Sequence, residues 1–221
     1  MSKIEVELVD SMGDDFKSVA NTARVSFGKK ADAYTDEQNI KLVKYLIKNS
    51  HWTPLCSLQA NISMKIPLAI HAQLVTHKKG GVINTMSRRY VRDELEFYEP
   101  TFRKTPEGSV KQGSGDVFES QERPLIYHDR AVEGAIDIYN QMLDMGVCAE
   151  QARYYLPQNL MTKCTVVGSL PYFARIYKQR SDSHAQGGDK DGGEWKTITD
   201  GMDDIFSRLW PIAWSLITGD E

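Results

Sequence analysis

The order of apolar and polar positions divides the chain into elements. Near the start Ile4, Val6 and Leu8 alternate with polar or charged residues, the period-2 pattern of a strand with one buried face. Gly13 breaks that run. Asp14 or Asp15 then stands where a cap is needed for a helix over Phe16 to Arg24, with Val19, Ala20 and Ala23 inward. Thr35-Asp36-Glu37-Gln38 has capping-box spacing and opens a second helix carrying Ile40, Val43, Leu46 and Ile47, ending near Asn49. Leu58, Ala60, Ile62, Met64 and Ile66 alternate with Gln59, Asn61, Ser63 and Lys65, which predicts another half-buried strand. Pro67 ends it and suits the first turn of a helix from Leu68 to about Thr76.

A basic, glycine-containing turn follows at His77 to Gly81, then a segment from Asn84 to Tyr90. Residues 104–123 lack apolar periodicity and read as a mobile surface loop. Leu125 to Met145 forms a long amphipathic helix ended by Gly146, and Ala149 to Leu156 a short one running into Pro157. Thr165 to Val167 reads as a strand, and Ser169 as the cap of a helix reaching Arg180. Gly187 to Gly193 reads as a second flexible loop before a final helix from Glu194 to Ile217. Strand and helix mix without strict alternation or repeats, so the class is α+β, with one domain over 1–221.

Composition narrows the classes. A chain of 221 residues can bury a core without disulfides or metal. A net charge of −3 argues against a general nucleic-acid binder, which carries a basic excess. Cys56, Cys148 and Cys164 stand apart with no CxxC spacing, so no zinc site is expected and the compartment should be reducing. The opening MSKIEVELVD lacks a signal peptide's apolar stretch, and no apolar run is long enough to span a membrane. The expected location is the cytoplasm, without membrane or nucleic-acid partners.

The sequence has no GxGxxG after a strand, no Walker loop, no HExxH and no GxSxG. Three basic clusters remain. His77-Lys78-Lys79-Gly80-Gly81 joins cationic or titratable groups to glycines that let backbone N–H groups approach an anion, although a solvated basic turn reads the same way. Ser87-Arg88-Arg89-Tyr90 suits a phosphate or carboxylate through arginine's planar fork, with surface salt bridges an equal explanation. Arg153, on its short helix, and Arg180 form the third. His51-Trp52-Thr53-Pro54 fits a connecting turn, His71 and His128 receive no role, and nothing marks Cys56 as activated. By themselves these residues describe a site for an anionic, phosphorylated, planar ligand.

In this order the clusters resemble the flavin-dependent thymidylate synthase family over nearly the whole chain. Val6-Glu7-Leu8-Val9-Asp10, Met12-Gly13 and Ala23-Arg24-Val25-Ser26-Phe27 look like the family's opening, and His51-x-Thr53-Pro54 like its H-x-T-P turn. Ala152-Arg153, Leu156-Pro157, Asn159-Leu160 and Thr162 are similar to its dUMP-binding helix. The segment from Arg180 through Ser181, Asp182, Ser183, His184 and Ala185 to Gln186 is similar to its R-x-D-S-H-A-Q. The family's R-H-R, seven residues, then S is altered. One register sets His77-Lys78-Lys79 seven residues before Ser87. The preferred one matches Gln73 to the family glutamine and Thr76-His77-Lys78 to R-H-R. Either way an arginine is missing, and Cys56 and Thr85 stand where the family often has glutamates.

The resemblance implies a central, mainly antiparallel sheet flanked by helices, in a homotetramer whose active sites are shared between subunits. It implies methylation of dUMP to dTMP, with FAD, 5,10-methylenetetrahydrofolate as one-carbon donor and NADPH as reductant. Arg180 would be catalytic, polarising the uracil carbonyl and N3. Gln73, Ser87, Arg88, Arg89 and Arg153 would hold dUMP with it. His51, Thr53, Thr76, His77, Lys78, Lys79, Asn84, Thr85, Ser169, Arg175 and His184 would bind FAD. The classical thymidylate synthase uses a cysteine after a proline, and none of the three cysteines follows one. The rivals are a related pyrimidine-nucleotide C5 methylase or hydroxymethylase, and a catalytically silent nucleotide-binding paralogue.

Overall fold

The computed structural model describes residues 2–89, 95–107, 113–182, 184–190 and 192–219. Its centre is a four-stranded antiparallel sheet in the order β1-β2-β4-β3, formed by β1 (Glu5–Met12), β2 (Gln59–Pro67), β3 (Gly81–Thr85) and β4 (Met161–Ser169). The alternation read in the second strand holds: Ala60, Ile62, Met64 and Ile66 are buried. With Cys164 and Val166 of β4 they face a helical layer of α7 (Leu170–Arg180), α8 (Glu194–Leu209) and α9 (Pro211–Thr218). β1 is less regular. Its pairing with β2 shifts between Leu8 and Asp10, and Leu8 is exposed, so only Val6, with Ile4 just before the strand, packs partly buried against the core.

The N-terminal helices α1 (Asp15–Arg24) and α2 (Asp36–Lys48) complete that layer, and Thr35 and Gln38 form the expected reciprocal capping box. Neither aspartate caps α1 with its side chain. Asp15 instead accepts from the backbone N–H groups of Ile212 (3.0 Å) and Ala213 (2.8 Å), capping α9 far along the chain. The single final helix expected from Glu194 to Ile217 is two helices. Trp210 leaves the helical region before Pro211 (φ −136°, ψ 62°), as the clash with a following proline favours, and the helix restarts at the proline. Phe206 packs against Phe173, Trp210 and Trp214 at centroid distances of 4.9, 5.3 and 4.8 Å, closing the core beneath the break.

Short elements position the site: α3 (Trp52–Leu55), and α4 (Leu68–Leu74), which leaves β2 at Pro67. The remaining helices are α5 (Glu122–Asp144) and α6 (Ala149–Ala152), the latter followed by a 3-10 turn at Arg153–Tyr155. Around Tyr139, Ala152, Leu156 and Leu160 they build a second, smaller core. Asn159 donates to the carbonyl of Tyr98 and lies 2.8 Å from His128 Nε2, so this residue of the family-like stretch fastens the 95–98 segment to α5. In the loop expected over 104–123, residues 108–112 lie outside the described set. Its flanks pair, with Lys104 N–H on the Asp116 carbonyl and Phe118 N–H on that of Phe102. Within the stretch read as a flexible loop from Gly187 to Gly193, Gly187, Gly188 and Gly193 are buried. A Cβ on Gly188 would meet the Arg180 carbonyl at 2.3 Å, and one on Gly193 the Gly187 carbonyl at 2.0 Å.

Candidate active site

The site is built around the C-terminal half of α7. Its last helical residue, Arg180, lies along the Trp195 ring, 4.8 Å from guanidinium carbon to centroid. Arg180 Nε donates to His77 Nε2 at 3.0 Å, and its two Nη atoms reach the side-chain and main-chain carbonyls of Gln73 at 3.5 and 3.4 Å. Burial first, and the positive charges of Arg180 and Arg175 next, push the pKa of His77 down to about 4. The ring is therefore neutral near pH 7, and an Nε2 that accepts from arginine leaves the proton on Nδ1. Burial also lowers the pKa of Arg180. Among the described residues no carboxylate pairs with Arg180; the buried Glu194 carboxylate is taken by Arg103, at 2.5 Å. A half-buried guanidinium held by long bonds to neutral groups has capacity for an anionic or electron-rich ligand.

Three cavities follow α7. The first, about 480 Å³, is lined by Gln73, Arg103, Ser114, Arg180, His184 and Gln186 among others. The second, about 360 Å³, shares Arg180 with it and adds Thr76, His77, Lys78, Lys79, Arg175 and Gln179. A third, of about 710 Å³, shares Lys79, Arg175 and Gln179 with the second and extends past Ser169 and Tyr172 to Trp52 and Cys56. Aromatic walls at Trp52 and Tyr172 beside Lys79, Arg175 and Lys178 match the needs of a flat ring joined to phosphates.

Gln73, Thr76, His77, Lys78, Lys79, Ser169, Arg175, Arg180 and His184 thus line one set of neighbouring cavities. Ser169 occupies the N-cap position of α7 without a side-chain capping bond and lines the third cavity. Arg175 Nη2 donates to the Lys79 carbonyl at 2.5 Å and fixes the basic turn against α7. His51 and Thr53 flank Trp52 in sequence, both exposed; the His51 ring meets Tyr45 edge-on at 6.0 Å. Asn84 and Thr85 lie exposed on β3, an edge strand not expected from the sequence, with Thr85 Oγ1 2.7 Å from His71 Nε2.

The remaining residues stand apart from these cavities. Ser87 Oγ accepts from Arg89 Nε at 3.3 Å just beyond β3, beside Arg88. Arg153 is exposed on the turn after α6, where its Nε donates to the Glu150 carbonyl at 3.3 Å, and it lines none of the three cavities. Tyr90 and Ser183 lie outside the described residues. Sequence reasoning missed Arg103, Ser114, Glu194 and Trp195, none of which sits in a recognisable motif.

The chain resembles known proteins over most of its length. Residues 7–212 match the family described as thymidylate synthase complementing protein. A flavin-dependent thymidylate synthase of Kosmotoga olearia is 35% identical over 185 residues, covering 82% of this chain and 78% of that one. The chain belongs to this family. Another flavin-dependent thymidylate synthase, from Thermus thermophilus, is 29% identical over 211 residues, covering 95% of this chain and 74% of its own. The fold agrees. A UMP/dUMP methylase, PolB, from Streptomyces cacaoi, solved with 5-Br dUMP, superposes with a TM-score of 0.85 at 23% identity, over 98% of this chain and 95% of that one. Family membership puts weight on the cavities along α7, because Arg180, His184 and Gln186 belong to the family-like segment and line the first of them.

Proposed function

We propose that the protein is a methyltransferase that converts dUMP to dTMP, with FAD as cofactor, 5,10-methylenetetrahydrofolate as one-carbon donor and NADPH as reductant, and that residues 1–221 act as one catalytic domain. The observation that carries this reading is the Arg180 guanidinium. It stacks on Trp195, bonds to a neutral histidine, and has no carboxylate partner among the described residues, all in a chain of this family. Set against a uracil carbonyl and N3, that guanidinium favours the electron-rich, ionised ring and so raises electron density at C5. His77 and Gln73 orient it. Because His77 is neutral, it adds no competing positive charge.

The residues along α7 fit a flavin. Trp52 and Tyr172 offer apolar walls, and Lys79 and Arg175, with Lys78 in the adjoining cavity, offer charge for a diphosphate. Thr76, Ser169 and His184 add polar groups along the same wall, with His51, Thr53, Asn84 and Thr85 supplied from exposed positions. When bound, FAD supplies the redox chemistry and the one-carbon relay. The protein's share is to bind, orient and exclude water.

Nucleotide contacts are completed by a second protomer in a homotetramer. Ser87, Arg88, Arg89 and Arg153 would then reach the phosphate and sugar of a nucleotide lying on Arg180 of a neighbour. Exposed apolar side chains support assembly: Phe27 is 79% exposed, Tyr154 75% and Met145 70%. No helix among the described residues is long and apolar enough to cross a membrane, and work on a nucleotide pool fits a cytoplasmic enzyme.

The test is an absorbance spectrum of purified protein with and without added FAD, followed by product analysis. A flavin band bleached by NADPH is expected, with dTMP formed only when dUMP and the folate are both present. Absence of flavin binding together with absence of dTMP would overturn the assignment. Methylation of UMP in preference to dUMP would replace the substrate and keep the chemistry, a reading that the threonine at position 76 in place of an arginine keeps in view.

A further inference from the structure

Behind Arg180 runs a line of polar groups, buried at Trp195 and Glu194 and open to the first cavity at Gln186, whose hydrogen bonds can all be kept in one order of donors and acceptors only. At one end, Trp195 Nε1 donates to Gln73 Oε1 at 2.7 Å, and Arg180 Nη1 approaches the same oxygen at 3.5 Å. Indole and guanidinium groups only donate, so Gln73 must turn its oxygen to them. Its amide nitrogen then points away and donates to Gln186 Oε1 at 2.8 Å. Gln186 in turn presents its own nitrogen to Glu194 Oε1 at 3.4 Å. Glu194, 4% exposed, is the far end, and an ionised carboxylate only accepts. Its second oxygen takes the short bond from Arg103 Nη2, and Arg103 Nε donates to Ser114 Oγ at 2.8 Å. Donor-only groups at one end and an acceptor-only group at the other fix both glutamines between them.

We propose that Glu194, held by Arg103, is a positioning residue: its carboxylate sets the polarity of the Gln186–Gln73 amides and thereby keeps the Gln73 oxygen turned to Arg180. This rests on the reading of Arg180 as the group that touches substrate. The consequence is specific. In Glu194→Gln, Arg103 claims the one remaining oxygen, so the new amide presents N–H to Gln186. Gln186 turns over, Gln73 follows, and an NH₂ group faces the N–H donors of Trp195 and Arg180. Removing Arg103 as well frees that oxygen for Gln186 and restores the original order. Because Glu194→Gln is neutral, replacing Arg103 by an apolar side chain of similar length strands no carboxylate in the double variant, and it also removes an Arg103 Nη1 that has no partner among the described residues.

The experiment compares wild type, Glu194→Gln, and Glu194→Gln with Arg103→Met, all as FAD-loaded full-length protein. One readout is the Trp195 indole N–H resonance in ¹⁵N-tryptophan-labelled protein, assigned with Trp195→Phe. The other is steady-state turnover of dUMP. The single variant should shift the indole resonance upfield and lower kcat/KM about tenfold to hundredfold, the span of one lost charge-assisted hydrogen bond. The double variant should return the resonance and recover kcat/KM to within about threefold of wild type, an equivalent of under 1 kcal/mol. An unmoved indole resonance in the single variant overturns the proposal. So does a double variant as impaired as the single one, because a purely structural glutamate gives no rescue. If wild type makes no dTMP, the assigned reaction fails, and the indole resonance still decides the relay.

Discussion

Arg180 and Arg153, which the proposed function sets against one nucleotide, are held differently by the chain. Arg180 is half-buried, stacked on Trp195, tied to His77 and Gln73, and backed by a relay ending in a buried ion pair. Arg153 lies exposed on a 3-10 turn, with a bond to the carbonyl three residues before it. An arginine that must meet a reacting ring in one orientation gains from rigid neighbours. An arginine that meets a phosphate across a subunit boundary gets its rigidity only on assembly. On the proposed reading, the half of the site prebuilt in one chain steers chemistry, and the half left open binds.

The largest effect expected from breaking this contrast is at Arg180. Arg180→Ala should lower turnover about 10²–10³-fold, the loss that removal of one preorganised donor gives, while the flavin absorbance band stays. Arg153→Ala should act on binding. Its KM for dUMP should rise about tenfold to hundredfold with kcat little changed, and its Tm should stay within about 2 °C of wild type because the residue is exposed. Equal losses of kcat in both variants would erase the distinction between the two halves.

A smaller effect follows from pH. His77 titrates at about 4 in the folded protein and near 6.5 in the unfolded chain. As pH falls through that window the unfolded chain takes up the proton first. Stability is full above about pH 6.5 and declines towards pH 4. Burial lowers the pKa of His71 as well, which adds a decline of the same sign. Thermal melts from pH 7 to pH 4.5 should show a falling Tm. In His77→Gln, whose side-chain oxygen can still accept from Arg180 Nε, the fall should be shallower; an unchanged slope would mean that the His77 ring is not held neutral.

How much of this was legible in the sequence depends on the range of the contact involved. The alternation over Leu58 to Ile66 and the Thr35–Gln38 box are local signals, and both hold. β3 escaped notice because Gly81–Thr85 is a short edge strand without a buried alternating face. The glycines from 187 to 193 read as flexibility, whereas the fold uses Gly187, Gly188 and Gly193 where a Cβ has no room. The break at Trp210-Pro211 was written in the proline, but the apolar periodicity of the surrounding helices masked it. Within the site, family-like motifs brought Arg180, His77 and Gln73 together. The Arg103–Glu194 pair stayed hidden because its partners stand 91 residues apart and neither carries a motif.

The central claim is that the nucleotide site joins Arg180 of one protomer to Arg153 of another, and a subunit-mixing assay tests it most directly. Arg180→Ala and Arg153→Ala, each nearly inactive alone at low dUMP, are coexpressed and purified as mixed oligomers. A site drawing one arginine from each of two protomers should regain about a quarter of wild-type activity, the statistical chance of pairing two intact halves. Activity no greater than the average of the two parents, in oligomers shown to contain both chains, would contradict the account.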